Sequence, residues 1–291
     1  MTNPAFAGNR DNFCYRHPDR QSFVLCQRCL RTICPECQTQ AAVGVICPEC
    51  MAEQQRAQTP AQRTAQRRWR SAGSVTAGGG RPVVTYAIIG INAAVFVLQF
   101  LLGDVVARWL GFYAGALYPQ LTGGSFEPWR LVTASVVHSG FWHVGLNMLA
   151  LWMIGRSLEP LLGRARFLVL YLLSAIGGAV AVALIAPGSF VVGASGAIFG
   201  LFGALVVIAR HIGSQITGIL IVLGINLVIG FIPGMGISWQ AHVGGLVTGA
   251  VIGLIYARTR NPRQRPLQIG LLVAWTIALG LLLLIPPAIY G

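Results

Sequence analysis

Acidic residues are scarce in this chain, and cysteines are confined to one end. Only 8 of 291 residues are Asp or Glu, against 21 Lys plus Arg, and none follows Glu159. A serine-histidine-aspartate triad therefore cannot be built from the later part of the sequence. No cysteine follows Cys50, so thiol chemistry belongs to the opening segment alone. Charge of either sign is low, at 10%, where a soluble protein carries about 25%. With 55% hydrophobic residues, the chain reads as an integral membrane protein. The opening segment lacks the apolar run of a signal peptide or an anchor. A small polar head is thus expected to precede a membrane body, with the division near residue 80. The net charge of +13 raises nucleic acid as a partner. However, the arginines cluster at the ends of apolar runs, as topology signals do. No nucleic acid is expected, and lipid headgroups are the expected anionic partner.

The head, residues 1–52, carries Cys14-x2-His17, Cys26-x2-Cys29, Cys34-x2-Cys37 and Cys47-x2-Cys50. Eight thiolate or imidazole donors suffice for two closed tetrahedral Zn2+ sites, and a two-residue gap lets both members of a pair reach one ion. So short a segment has too little core to fold alone, and the metal would supply the folding energy. Disulfides of an exported domain are the alternative, but seven cysteines in four tight pairs fit that poorly. The stretch resembles a B-box-type zinc finger over residues 14–37 and departs from it at Cys47 and Cys50. That resemblance implies a cross-brace, with Cys14, His17, Cys34 and Cys37 on one ion and Cys26, Cys29, Cys47 and Cys50 on the other. Whether the head binds a cytoplasmic protein partner or is a passive cap stays open. Residues 53–81, with Arg63, Arg67, Arg68 and Arg70 before a glycine-rich patch, read as a basic flexible linker.

The membrane domain, residues 82–291, contains apolar runs long enough to cross a bilayer as helices. They are read at 83–102, 143–162, 167–186, 193–210, 214–232, 238–257 and 267–286, giving an all-α polytopic protein of seven spans. The basic linker, the group Arg156, Arg164 and Arg166, the pair Arg210 and His211, and the run Arg258 to Arg265 all fall on one face in this count. The positive-inside rule makes that face cytoplasmic. The head then lies where thiols stay reduced and metal binding is favoured.

Ser195 and His242 come out at matching depths near the outer ends of the fourth and sixth spans. A hydroxyl is a weak nucleophile until a base takes its proton, and neutral imidazole is a suitable base. Gly196-x3-Gly200 and Gly245-x3-Gly249-x3-Gly253 form stripes along which helix backbones approach closely. With no carboxylate available, a dyad is the economical reading. His143 and Asn147 share one face of the second span and suit the donors of an oxyanion site. Taken singly, each of these residues reads as ordinary helix packing or an interhelical hydrogen bond.

Together Gly193-Ala194-Ser195-Gly196, Ala241-His242-x2-Gly245-x3-Gly249 and His143-x3-Asn147 resemble the three signatures of rhomboid intramembrane serine proteases. Trp129-Arg130 and Gly155-x3-Glu159 resemble further family patterns, and the likeness runs over residues 82–258. It implies a six-helix core with a cavity open to the outer face, followed by an added span at 267–286. It implies Ser195 as nucleophile, His242 as base and acid, and His143 with Asn147 at the oxyanion. Segment 103–142 is then a partly embedded loop in which Trp129 and Arg130 are structural, and Phe199 packs near the histidine. The expected reaction is hydrolysis of transmembrane protein substrates near the outer boundary of the bilayer, through an acyl-enzyme. The two Zn2+ are structural, and no cofactor serves the chemistry. A non-catalytic adaptor that binds transmembrane clients and a transporter using the polar residues are the other classes considered. Retention of both Ser195 and His242 argues against the first, and the lack of acidic residues in the last four spans argues against the second.

Overall fold

The computed structural model describes residues 10–40, 44–57, 81–213, 216–232 and 236–290. Most of the expected linker, residues 58–80, lies outside them. The chain divides into two compact units, Met1–Thr64 and Ala65–Gly291.

The first unit has little regular structure. Two short antiparallel pairs, β1 (Phe13–Cys14) with β2 (His17–Gln21) and β3 (Thr39–Gln40) with β4 (Val45–Ile46), precede helix α1 (Pro48–Arg56). Among the described residues its buried apolar cluster is made of Cys14, Cys26, Cys34, Cys37, Cys47 and Cys50 with Ile33 and Ile46. All seven cysteines are free.

The second unit is helical. Seven helices, α2 (Val83–Leu102), α3 (Phe141–Leu162), α4 (Arg164–Ile185), α5 (Ser195–His211), α6 (Thr217–Gly230), α7 (Trp239–Arg258) and α8 (Arg265–Leu282), fall within a few residues of the expected spans. Among the described residues four stretches, covering α2, α4, α7 and the α8 region, are long and apolar enough to cross a membrane. α5 and α6 are apolar but short, at 17 and 14 residues. α3 has 22 residues but carries Arg156 and Glu159 toward its end. Phe100, Phe141 and Trp142 are each more than 70% exposed, as suits side chains that face lipid. This is a polytopic helical membrane fold.

α5 lies at the centre, packed mainly against α7 and α4. α3 turns into α4 through Gly163 alone, whose φ of +82° a side chain would strain. At that end the buried Glu159 accepts hydrogen bonds from the N–H groups of Val84 (2.9 Å) and Thr85 (2.8 Å) and from the Thr85 hydroxyl (2.7 Å). It thereby satisfies donors at the start of α2 that have no intrahelical acceptor. α8 is tied in by Gln268, which donates to Thr259 and accepts from Arg166, and by Leu283, whose carbonyl accepts from the Tyr118 hydroxyl. The loop between α2 and α3 is held by the buried Arg130, which pairs with Glu127 and donates to the carbonyls of Arg108 (2.6 Å) and Gly111 (2.7 Å). Its neighbour Trp129 is half-exposed.

Candidate active site and metal centres

The glycine stripes set the geometry of the membrane site. A Cβ on Gly245 would collide with the carbonyl oxygen of Gly196, one on Gly249 with that of Gly200, and one on Gly253 would come 2.7 Å from Ala204 Cα. These pairs, 196 with 245, 200 with 249 and 204 with 253, keep a constant offset of 49 residues. α5 and α7 are therefore parallel and in register at backbone contact. Both helices begin at the same end, α7 behind Ser238, whose hydroxyl accepts from the Ala241 N–H. Ser195 stands one residue before Gly196 and His242 three before Gly245, and that register puts His242 Nε2 2.9 Å from Ser195 Oγ.

Ser195 is the first residue of α5, so its own N–H and those of the next residues have no partner within the helix. Such an end favours negative charge. His242 is buried, and Phe199, one turn below Ser195, stacks on its ring with centroids 4.1 Å apart and planes 12° apart. His242 Nδ1 finds no hydrogen-bond partner among the described residues. Of the three carboxylates in this unit, Glu127 is taken by Arg130, Glu159 by α2, and Asp104 opens the loop helix Asp104–Leu110. Serine and histidine stand as a pair.

His143 stands beside them. Its Nδ1 accepts from the Ser139 N–H (3.4 Å) and lies 2.9 Å from the Ser139 hydroxyl. The proton of the neutral ring is therefore on Nε2. That nitrogen lies against Gly193, where an added Cβ would come within 2.7 Å of it. Gly193 itself has φ +120°, so both its conformation and its neighbour require glycine. Asn147 is buried and donates Nδ2 to the His143 carbonyl at 2.8 Å, which commits one of its two amide hydrogens to its own helix. Ser195 opens onto a cavity lined by Phe112, Leu131, Ala134, Ser135 and Val191 on the loop side. Ala175, Gly178, Ala179 and Val182 of α4 form the other wall, with Gly193, Gly196, Ala197 and Ala241 around the serine. The lining is almost wholly apolar.

Two residues absent from the sequence reading belong to this neighbourhood. His138 is 2% exposed and its Nε2 accepts from the Ala194 N–H at 3.4 Å, while Gln99 of α2 holds its backbone. The spacing His138-x4-His143, one histidine just ahead of a span and one in its first turn, is the signal that was there to be read.

In the first unit the structure brings together Cys14, His17, Cys34 and Cys37, and separately Cys26, Cys29, Cys47 and Cys50. Within each set the ligand atoms lie within 4.8 Å of one another. A Zn–S bond of about 2.3 Å puts two sulfurs on a tetrahedral ion about 3.8 Å apart. Cys29 and Cys47 sulfurs are 3.8 Å apart, and His17 Nδ1 is 3.3, 3.4 and 3.8 Å from the sulfurs of Cys34, Cys37 and Cys14. The donor sets fit such an ion. Burial works to raise the Cys14 thiol, but N–H groups of Cys34, Arg16 and His17 outweigh it and leave it at about 6. Burial and its crowding by Cys14 and Cys34 push Cys37 up to about 11. A divalent cation would remove that repulsion.

Comparison with known proteins agrees with this geometry. Residues 125–259 match the family model for the Rhomboid domain. The chain is 36% identical over 215 residues to Rhomboid protease GluP of Bacillus subtilis (strain 168), covering 70% of this chain and 40% of that protein. RHOMBOID-like protein 1 of Arabidopsis thaliana is 30% identical over 210 residues, 60% of this chain and 53% of that one. The protein named "Putative rhomboid protease YdcA" of Bacillus subtilis is 33% identical over 187 residues, 62% of this chain and 92% of that protein. The chain thus spans about half the length of the first two relatives and nearly all of the third. It belongs to the rhomboid family.

Proposed function

We propose that this protein is an intramembrane serine protease that cleaves transmembrane proteins near the outer boundary of the bilayer. The 2.9 Å contact between Ser195 Oγ and His242 Nε2 carries the reading. Ser195 Oγ attacks the scissile carbonyl carbon as His242 Nε2 takes its proton. The carbonyl oxygen becomes an oxyanion, with the Ser195 N–H and His143 Nε2–H as donors and the second amide hydrogen of Asn147 as a third. His242 then gives the proton to the leaving amine as the C–N bond breaks, leaving an ester on Ser195. Water, deprotonated by His242, attacks that ester, and the departing Ser195 oxygen recovers a proton from His242. With no carboxylate beside His242 Nδ1, a dyad performs both transfers. Phe199 supports the imidazole by stacking alone, without a hydroxyl.

The apolar cavity beside Ser195 suits an uncharged side chain. A helical peptide bond is shielded by its own hydrogen bonds, so substrates with glycine or other weak helix formers near the outer end are favoured. The arginine distribution supports a cytoplasmic head and inner helix ends, with the serine toward the outside. The eight head ligands hold two structural Zn2+, and the head is available to a cytoplasmic protein partner. Relatives named as rhomboid proteases support the assignment.

A fluorophosphonate probe tests the nucleophile independently of substrate choice. Labelling of the detergent-solubilised protein that maps to Ser195 and vanishes in His242→Ala is the expected result. Well-folded protein that takes no label would favour an adaptor that binds clients without cutting them.

A further inference from the structure

The mechanism above leaves one buried imidazole unused. His138 lies in the loop before α3, 2% exposed, with both of its backbone groups held by one side chain. Gln99 Oε1 accepts from its N–H and Gln99 Nε2 donates to its carbonyl, each at 3.0 Å. This clamp from α2 fixes where the ring goes. The ring stands edge-on to His143, centroids 5.0 Å apart, and its Nε2 accepts from the Ala194 N–H. A nitrogen that accepts from an N–H carries no proton, so the neutral ring has its hydrogen on Nδ1.

Ala194 immediately precedes the nucleophile, and the turn that contains it is pinned at three successive points. Val191 pairs with Phe112 through two backbone bonds, Gly193 N–H donates to the Ala134 carbonyl at 2.9 Å, and Ala194 N–H donates to His138. The last is the only side-chain acceptor of the three and the nearest to Ser195. Without it the Ala194 N–H would be left without a partner in a buried place, and the turn would be free to tilt. Tilt there moves both the hydroxyl and the Ser195 N–H.

We infer that His138 is a positioning residue: its Nε2, placed by Gln99, sets the Gly193-Ala194-Ser195 turn so that hydroxyl and oxyanion donor face the same carbonyl. The inference rests on the protease reading above. Misplacement of reacting groups by about 1 Å costs on the order of 100-fold in rate, whereas apolar binding of the substrate is little affected.

The test uses the full-length protein in detergent as parent, H138A, H138Q and S195A. Each is measured for kcat and KM on one tagged single-span substrate, for the rate of fluorophosphonate labelling and for its unfolding temperature. H138A is expected to lose about 100-fold in kcat and to label correspondingly slowly, with KM within about threefold of the parent. H138Q restores an acceptor oxygen and should recover at least about tenfold of that loss. If H138A does not fold, H138Q within about tenfold of the parent supports the inference, and an inactive, folded H138Q overturns it. An H138A that cuts like the parent, or an H138Q no better than a folded H138A, also overturns it. Failure of the protease reading looks different: the parent itself neither labels nor cuts, and both fall together.

Discussion

The head and the membrane unit solve the same problem, holding backbones together, with opposite materials. Among its described residues the head buries two isoleucines beside six cysteines, so two ligand sets stand where an apolar core would be. In water a segment of that size buries too little surface to hold its shape. The membrane unit has apolar side chains in excess, yet lipid is as apolar as they are and gives no drive for one helix to leave it for another. Its central contact uses side chains that are missing: Gly196, Gly200, Gly245 and Gly249 let carbonyl and Cα approach until van der Waals attraction and the Ser195–His242 hydrogen bond take hold. Each region is short of the interaction that its solvent makes cheap.

The comparison can be broken most severely by chelation. Removing metal is expected to unfold the head while Ser195 labelling continues, since structural zinc contributes about 10 kcal/mol or more to such small domains. Limited proteolysis cutting residues 14–50 in the treated protein, with unchanged labelling, would show it. Elemental analysis of the untreated protein should give two zinc ions per chain. Next in size is Gly245→Ala, whose methyl meets the Gly196 carbonyl. It should separate α5 from α7 at the level of the dyad, cost about 1–3 kcal/mol and abolish labelling, while metal content stays at two. Glu159→Ala leaves the Val84 and Thr85 donors without acceptors at the far end of the same unit. A loss of about 1–3 kcal/mol is expected, read as a lower unfolding temperature with the labelling rate of the folded protein little changed. The smallest effect belongs to the surface of the head. Arg20→Gln breaks its 2.5 Å pair with Glu36, both side chains well exposed, and should leave the unfolding temperature of the head essentially unchanged.

Much of this was legible because it is periodic or paired. Glycines at intervals of four announce a close helix contact, and Cys-x2-Cys spacing announces a gathered ligand set. The apolar runs located the helices to within a few residues, since the length of a span is set by the bilayer. Interactions between single residues far apart in the chain were not legible. Glu159 could be marked only through the Gly155-x3-Glu159 pattern, because its partners lie 74 and 75 residues away at the start of α2. Gly177 and Gly178, which carry the approach of α4 to α7, belong to no four-residue stripe, and only Thr248, Gly244 and Ala241 opposite them reveal their use. His138 and Gln99 escaped for the same reason: a hydrogen bond between a loop and a helix has no period.

The most direct test of the central claim is cleavage of a tagged single-span substrate in liposomes by the parent protein and by Ser195→Ala. The account predicts a cut near the outer membrane boundary that is lost in Ser195→Ala. A Ser195→Ala protein that cuts as well as the parent would contradict it.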